Sequence, residues 1–160
     1  YVIDFCNQNH IPVLFNPAPI EGVDMDIIEK VTYFTPNEHE AELLFQTNDY
    51  EELVKKYPEK LLITMGEKGV LVQLNDGETL TVPARKTKVV DTTGAGDTFT
   101  GCMLNFVLEK GLDDLTESDL AEMLIFANAG ASLITTRRGA LKVMPEKEEI
   151  EKIIQGCCGS

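Results

Sequence analysis

Asp91-Thr92-Thr93-Gly94-Ala95-Gly96-Asp97 is the stretch of this chain whose residue types could do chemistry. Two threonines and two glycines lie between carboxylates, and an apolar helical pattern follows at once. Glycine lets the backbone turn with its N–H groups exposed, and a helix starting at Gly96 or Asp97 would add its unpaired first-turn donors. Such a loop is an anion site. A carboxylate placed there weakens anion binding unless it has a chemical task. The task that fits is that of a base, taking a proton from a nucleophile beside a bound phosphoryl group. The plainer reading is a helix N-terminus whose dipole Asp97 supports. No G-x-x-x-x-G-K-[ST] occurs, and Phe99 stands where a dinucleotide fingerprint needs its third glycine.

Other polar residues have similar double readings. Asn37 and Glu40 share one face at a helix start, either as a capping pair or as organisers of a cation. Thr64, Gly66 and Gly69 follow an apolar run, as a ligand loop at a strand's carboxyl end or as a tight turn. Asn128 sits among small residues, in a pocket wall or bonded within helix packing. Arg137 and Arg138 form a basic pair next to Gly139. His10 and His39 have no partners at metal-ligand spacing and read as surface residues.

These residues need a scaffold, and the hydrophobic pattern supplies one. Residues 1 to 9 read as the end of a helix, and Ile11 to Phe15 as a buried strand closed by Asn16-Pro17-Ala18-Pro19. A helix is predicted over Asp24 to Val31 and a strand over Thr32 to Thr35. A helix capped by Asn37 comes next, then a short helix over Tyr50 to Tyr57. Lys60 to Met65 reads as a buried strand. Val70 to Leu74 alternates and pairs with Thr79 to Val82 through Asn75-Asp76-Gly77, the clearest hairpin in the chain. Thr98 to Glu109 reads as a helix too apolar all round to lie at a surface. Helices from Glu117 to about Leu133 and from Glu146 to Ile154 complete the pattern. Alternating strands and helices mean an α/β fold with a largely parallel sheet, in one domain or part of one.

The composition fits this picture. With 160 residues, 43% of them hydrophobic and 26% charged, the chain can bury a real core. A net charge of -13 leaves no basic stripe for nucleic acid or an anionic membrane. No run approaches the roughly 20 apolar residues of a membrane span. The four cysteines, Cys6, Cys102, Cys157 and Cys158, form neither CxxC pairs nor a disulfide framework, and read as reduced cytosolic thiols. The uncapped, methionine-free start at Tyr1 reads as the interior of a larger protein.

Asp91 to Phe99 resembles the signature near the C-terminus of the ribokinase-like (PfkB) family of carbohydrate kinases. Asn16 to Pro19 is similar to a segment of its ribokinases, and Asn37 to Glu40 resembles its N-x-x-E motif. Thr64-Met65-Gly66-Glu67-Lys68-Gly69 resembles its T-x-G-x-x-G nucleotide loop, and Thr136 to Ala140 its late cation loop. The resemblance spans the chain but only the family's C-terminal half. It implies a ribokinase-like three-layer α/β sandwich whose N-terminal sugar-binding part and lid are absent. It implies ATP-dependent phosphorylation of a small sugar, D-ribose first. The alternatives are another sugar or a nucleoside as acceptor, or a non-catalytic nucleotide-binding fragment. By resemblance Asp97 is the catalytic base against the sugar, and Gly94, Ala95 and Gly96 form the anion hole. Asn37, Thr64, Gly66, Glu67, Lys68, Gly69, Gly96 and Asn128 meet ATP, and Asn37 and Glu40 organise Mg²⁺ through its waters. Asp91, Thr93, Ile134, Arg137, Gly139 and Val143 match a K⁺ site, where ribokinases commonly carry a serine at the position of Val143. A cytoplasmic enzyme that is homodimeric at full length is the further implication.

Overall fold

Local hydrogen bonding explains where most elements begin and end. The computed structural model describes residues 1–111 and 115–156; the sequence reading of Cys157 and Cys158 lies outside them. Contacts divide the chain into two compact units, one of Tyr1–Gly66 with Val70–Thr81, the other of Glu67–Gly69 with the chain from Val82 onward.

The first unit opens with α1 (Val2–Gln8), β1 (Leu14–Phe15), α2 (Ile27–Lys30) and β2 (Tyr33–Phe34). The strands pair in parallel, Leu14 opposite Tyr33 and Phe15 opposite Phe34. The apolar spacing predicts a longer α2. Its start is delayed because Asp24 accepts the Asp26 N–H, at 3.1 Å, holding a turn that competes with the helix. Next come α3 (Glu38–Phe45), α4 (Tyr50–Lys56) and β3 (Ile63–Thr64). Parallel bridges from Phe34 to Leu61 and from Asn37 to Thr64 join β3 to the first two strands.

A 3-10 turn over Gly66–Lys68 reverses the chain into β4 (Val70–Gln73), antiparallel to β3, and the predicted hairpin continues to β5 (Thr79–Val82). Its turn is held by the Asp76 carboxylate, which accepts the Glu78 N–H at 2.8 Å. The alternation in β4 predicts one exposed face, yet all four residues are buried, with α4 packed against the strand. The core gathers around Phe34, Leu61 and Ile63, with Phe15 stacked on Phe34 at 5.8 Å.

The second unit is helical: α5 (Ala95–Lys110), α6 (Glu117–Ile134) and α7 (Lys147–Gln155). Thr116 caps α6 in a reciprocal box with Asp119. Gly130 of α6 lets α5 come close, since a Cβ there would lie 2.7 Å from Cys102 Sγ. Met103, Met123, Leu124, Ile134 and Ile150 are fully buried in this unit. The composition of α5 predicts burial on all sides. That expectation fails on one face, where Leu104 and Leu108 are exposed. Among the described residues no helix is long and apolar enough to cross a membrane.

Candidate functional site

Gly94 caps α5 with φ +79°, in the left-handed region that suits glycine, and the helix starts at Ala95. The start therefore precedes the predicted Gly96 or Asp97 by one or two residues, and Asp97 becomes the third residue of the helix. The Thr98 N–H closes the first helical bond on the Gly94 carbonyl at 2.9 Å, and the Ala95 N–H donates to Thr92 at 3.2 Å. Among the described residues the N–H groups of Gly94, Gly96 and Asp97 meet no acceptor, and no side chain caps the helix. A Cβ at Gly96 would meet nothing within 4 Å, so the space above these donors is open.

The Asp97 carboxylate is exposed, and among the described residues it has no hydrogen bond and no ion pair. It borders a groove of about 280 Å³ whose walls include Thr98, Cys102, Asn105, Phe126, Met144 and Lys147. Burial pushes the Cys102 thiol up to about 11, so it lies there as the unreactive thiol. An unpaired carboxylate, open N–H donors and an adjoining groove can together receive an anion and a proton-bearing nucleophile.

Asp91 holds this loop in place. Its Oδ1 accepts the Thr93 N–H at 2.9 Å and its Oδ2 the Gly139 N–H at 3.3 Å. The Thr93 hydroxyl first, then these two N–H groups, hold the carboxyl below the usual carboxylate range. Arg137 donates from Nη1 to the Val143 carbonyl at 3.1 Å and pairs with Glu149 at 2.6 Å. Its backbone N–H donates to the Ile134 carbonyl at 3.0 Å. The six residues matched to a K⁺ site thus cluster. They do not make a good fit to the ion, because both Asp91 oxygens are engaged and valine at 143 offers no oxygen from its side chain. The structure instead closes this loop with protein donors.

Two further parts of the predicted site lie together in the first unit. Asn37 Oδ1 accepts the Glu40 N–H at 2.9 Å, and Glu40 Oε2 accepts the Asn37 N–H at 2.8 Å. The capping reading is realised in full, and it leaves Glu40 Oε1 outside these two bonds. That oxygen suits a hydrated Mg²⁺, which keeps its waters. Among the described residues no three His, Cys, Asp or Glu side chains gather as a metal cage. Thr64 lies beside the pair, its N–H on the Pro36 carbonyl at 3.0 Å.

Gly66, Glu67 and Lys68 form the exposed 3-10 turn. Gly69, at φ +100°, belongs with the second unit, where a Cβ would strike the Val82 carbonyl oxygen at 1.9 Å. Asn128 is 6% exposed, and its Nδ2 donates to that same Val82 carbonyl at 2.8 Å. Sequence reasoning missed two participants. Ser132, one turn beyond Asn128, accepts the Arg85 N–H at 3.1 Å, and Glu149 anchors Arg137. Only the helical spacing of Asn128 and Ser132 could have suggested the first; nothing local marks the second. His10 and His39 are exposed, as expected.

The sequence matches the family described as pfkB family carbohydrate kinase over residues 2–147. It is 42% identical over 151 residues to a ribokinase of Lactococcus lactis subsp. lactis (strain IL1403), covering 94% of this chain and 47% of that protein. It is 39% identical over 153 residues to a ribokinase of Bacillus subtilis (strain 168), covering 96% and 50%. Among solved structures, a ribokinase of Thermotoga maritima superposes with a TM-score of 0.78 at 31% identity, covering 94% of this chain and 52% of that one. The α/β fold is thus the ribokinase-like one. The chain spans about half the length of the curated relatives it matches.

Proposed function

Since this chain belongs to the pfkB family of carbohydrate kinases, we propose that it is the ATP-handling half of an enzyme that phosphorylates a small sugar, with D-ribose the first candidate and ribose 5-phosphate the product. The observation that carries this reading is Asp97, a carboxylate without a protein partner among unpartnered N–H groups at the head of α5.

In the proposed reaction the Asp97 carboxylate receives the proton of the sugar hydroxyl as that oxygen attacks the γ-phosphorus of ATP. The bond from the γ-phosphorus to the β,γ-bridging oxygen breaks, and ADP leaves. The N–H groups of Gly94 and Gly96, with Ala95 between them, face charge gathering on the transferred group, where fixed donors are most effective. Thr64 and the turn from Gly66 to Gly69 border the nucleotide. Asn37 and Glu40 would hold Mg²⁺ through its waters, and when bound it supplies neutralising charge for the phosphates. No step is assigned to K⁺.

Ribose is preferred because the relatives at 42% and 39% identity are ribokinases and because Asn16 to Pro19 resembles their segment. The test uses the full-length protein with Mg-ATP against a panel of pentoses, hexoses and nucleosides, reading ADP release and the phosphorylated product. Ribose-dependent ADP formation above every other acceptor is expected. Preference for a nucleoside would move the substrate within the family, and nucleotide binding without any acceptor turnover would leave a binding module. The 160-residue chain alone is expected to turn over little or no sugar, because it corresponds to only half of its relatives. Substantial ribose-dependent turnover by that chain would overturn the assignment of sugar binding to the other half.

A further inference from the structure

We propose that Asn128 and Ser132 are positioning residues that splint the nucleotide loop and the anion loop to a common helix, so that Asn128 acts behind the nucleotide and makes no contact with its base. The proposal rests on the kinase reading above.

The geometry lies wholly within the second unit. Asn128 and Ser132 are four residues apart on α6, on one face, and both are buried. Asn128 Nδ2 donates to the Val82 carbonyl at 2.8 Å, and Ser132 Oγ accepts the Arg85 N–H at 3.1 Å. One helix turn thereby fixes both the acceptor and the donor side of a short backbone segment. Gly69, the last glycine of the nucleotide loop, rests on that same segment: a Cβ there would meet Val82 O at 1.9 Å and Ala84 N at 2.7 Å. The segment cannot shift without moving Gly69. At the end of α6 the Thr135 carbonyl accepts the N–H groups of Val90 and Asp91, at 2.7 and 3.1 Å. The chain from Val82 to Asp91 is therefore tied along α6 from the nucleotide loop to the start of the anion loop. Phosphoryl transfer depends on positioning, and a small misplacement between these loops is costly.

The test uses the full-length protein carrying Asn128→Asp, which keeps the shape and loses the donor. Steady-state constants are measured with ATP and with GTP, alongside hydrogen exchange of residues 67–69 and 82–86. The KM for both nucleotides is expected to rise by the same factor, roughly tenfold, the size of one buried hydrogen bond. Exchange in both segments should quicken while the KM for sugar stays put. Ser132→Ala should act in the same direction and more weakly. Gly69→Ala, which pushes on the segment through its new Cβ, should reproduce the exchange pattern even if Asn128→Asp fails to fold. A changed ATP-to-GTP preference with unaltered exchange would make Asn128 a base contact and overturn the proposal. So would a lower melting temperature with unchanged nucleotide KM. If the wild-type protein turns over no sugar, the kinase reading fails instead. Affinity for the two nucleotides and the exchange pattern then still decide the splint.

Discussion

Two helix starts in this molecule carry a carboxylate at the same third position, and they use it in opposite ways. At the head of α3, Glu40 folds back onto the N–H of its own cap residue, Asn37, whose side chain returns the bond. At the head of α5 the cap is Gly94, which has no side chain to offer, and Asp97 reaches no donor among the described residues. The first arrangement stabilises a helix end by meeting its orphan donors. The second leaves both donors and carboxylate available, and so forgoes that stabilisation. A helix end left open next to a groove is worth its cost only if something else occupies it.

The widest separation between the two ends should come from their carboxylates. Asp97→Asn in the full-length protein is expected to lower kcat by roughly 10²–10⁴-fold, the usual contribution of a positioned general base, while the melting temperature stays nearly unchanged. Glu40→Gln should do the reverse, with a small loss of stability and a much smaller loss of turnover. Parallel measurements of kcat and thermal unfolding check both. An Asp97→Asn enzyme of near wild-type rate would mean that the open carboxylate is not the base.

How much of this contrast could be read from sequence follows from the range of each interaction. The Asn37–Glu40 box is legible because both partners lie within one turn, and the Asn75-Asp76-Gly77 hairpin for the same reason. The start of α5 was placed late because the left-handed backbone of Gly94 is a three-dimensional fact that a Gly-Ala-Gly run does not reveal. Asp91 bonds Gly139 across 48 residues, and Ser132 meets Arg85 across 47. No pattern in the chain announces such pairs. The apolar run of α5 correctly marks a packed helix, but hydrophobicity alone cannot say which face this chain covers, and Leu104 and Leu108 remain outside. The family motif located the site's residues more sharply than periodicity did. It could not show that Asn128 already holds a backbone carbonyl.

The two glycines of the α5 end should separate next. Gly94→Ala forces an L-residue to φ +79°, at a cost of about 1–2 kcal/mol, and its Cβ would touch Ile134 and Ala140. Gly96 is helical with open space above it. Alanine there should hold stability or add up to about 1 kcal/mol, yet raise the KM for ATP by filling the space over the donors. Urea unfolding and nucleotide kinetics on both variants test the pair. If Gly96→Ala left nucleotide kinetics untouched, the open donors would not be a binding surface.

The cap at the α3 end can be dissected by the same logic. Asn37→Ala removes the bond to the Glu40 N–H and should cost about 1 kcal/mol. Asn37→Ser retains a good cap and should recover most of that loss. If Asn37 also helps organise Mg-ATP, the serine variant will be as stable as wild type and still need more Mg²⁺ for half-maximal rate. A serine variant with wild-type magnesium dependence would leave Asn37 as architecture alone and make the contrast with α5 sharper.

The smallest effect expected is a pH dependence at the α5 end that the α3 end does not share. Asp91 is held below the usual carboxylate range chiefly by the Thr93 hydroxyl, then by the N–H groups of Thr93 and Gly139. A depressed folded-state pKa stabilises the native form at any pH above the unfolded value, near 3.9. That contribution fades as the pH falls through the lower folded value. The wild-type advantage over Asp91→Asn should therefore be constant from about pH 7 to 5 and shrink below about pH 4. Protection of the Gly139 N–H from exchange should fall over the same window. Because Asp91 is solvent-accessible, screening keeps the global effect small, and local exchange is the more sensitive reading. An advantage that grew on acidification would mean that the Asp91 bonds are weaker in the folded protein than their geometry implies. The loop would then need some other restraint to keep Gly94 and Asp97 open.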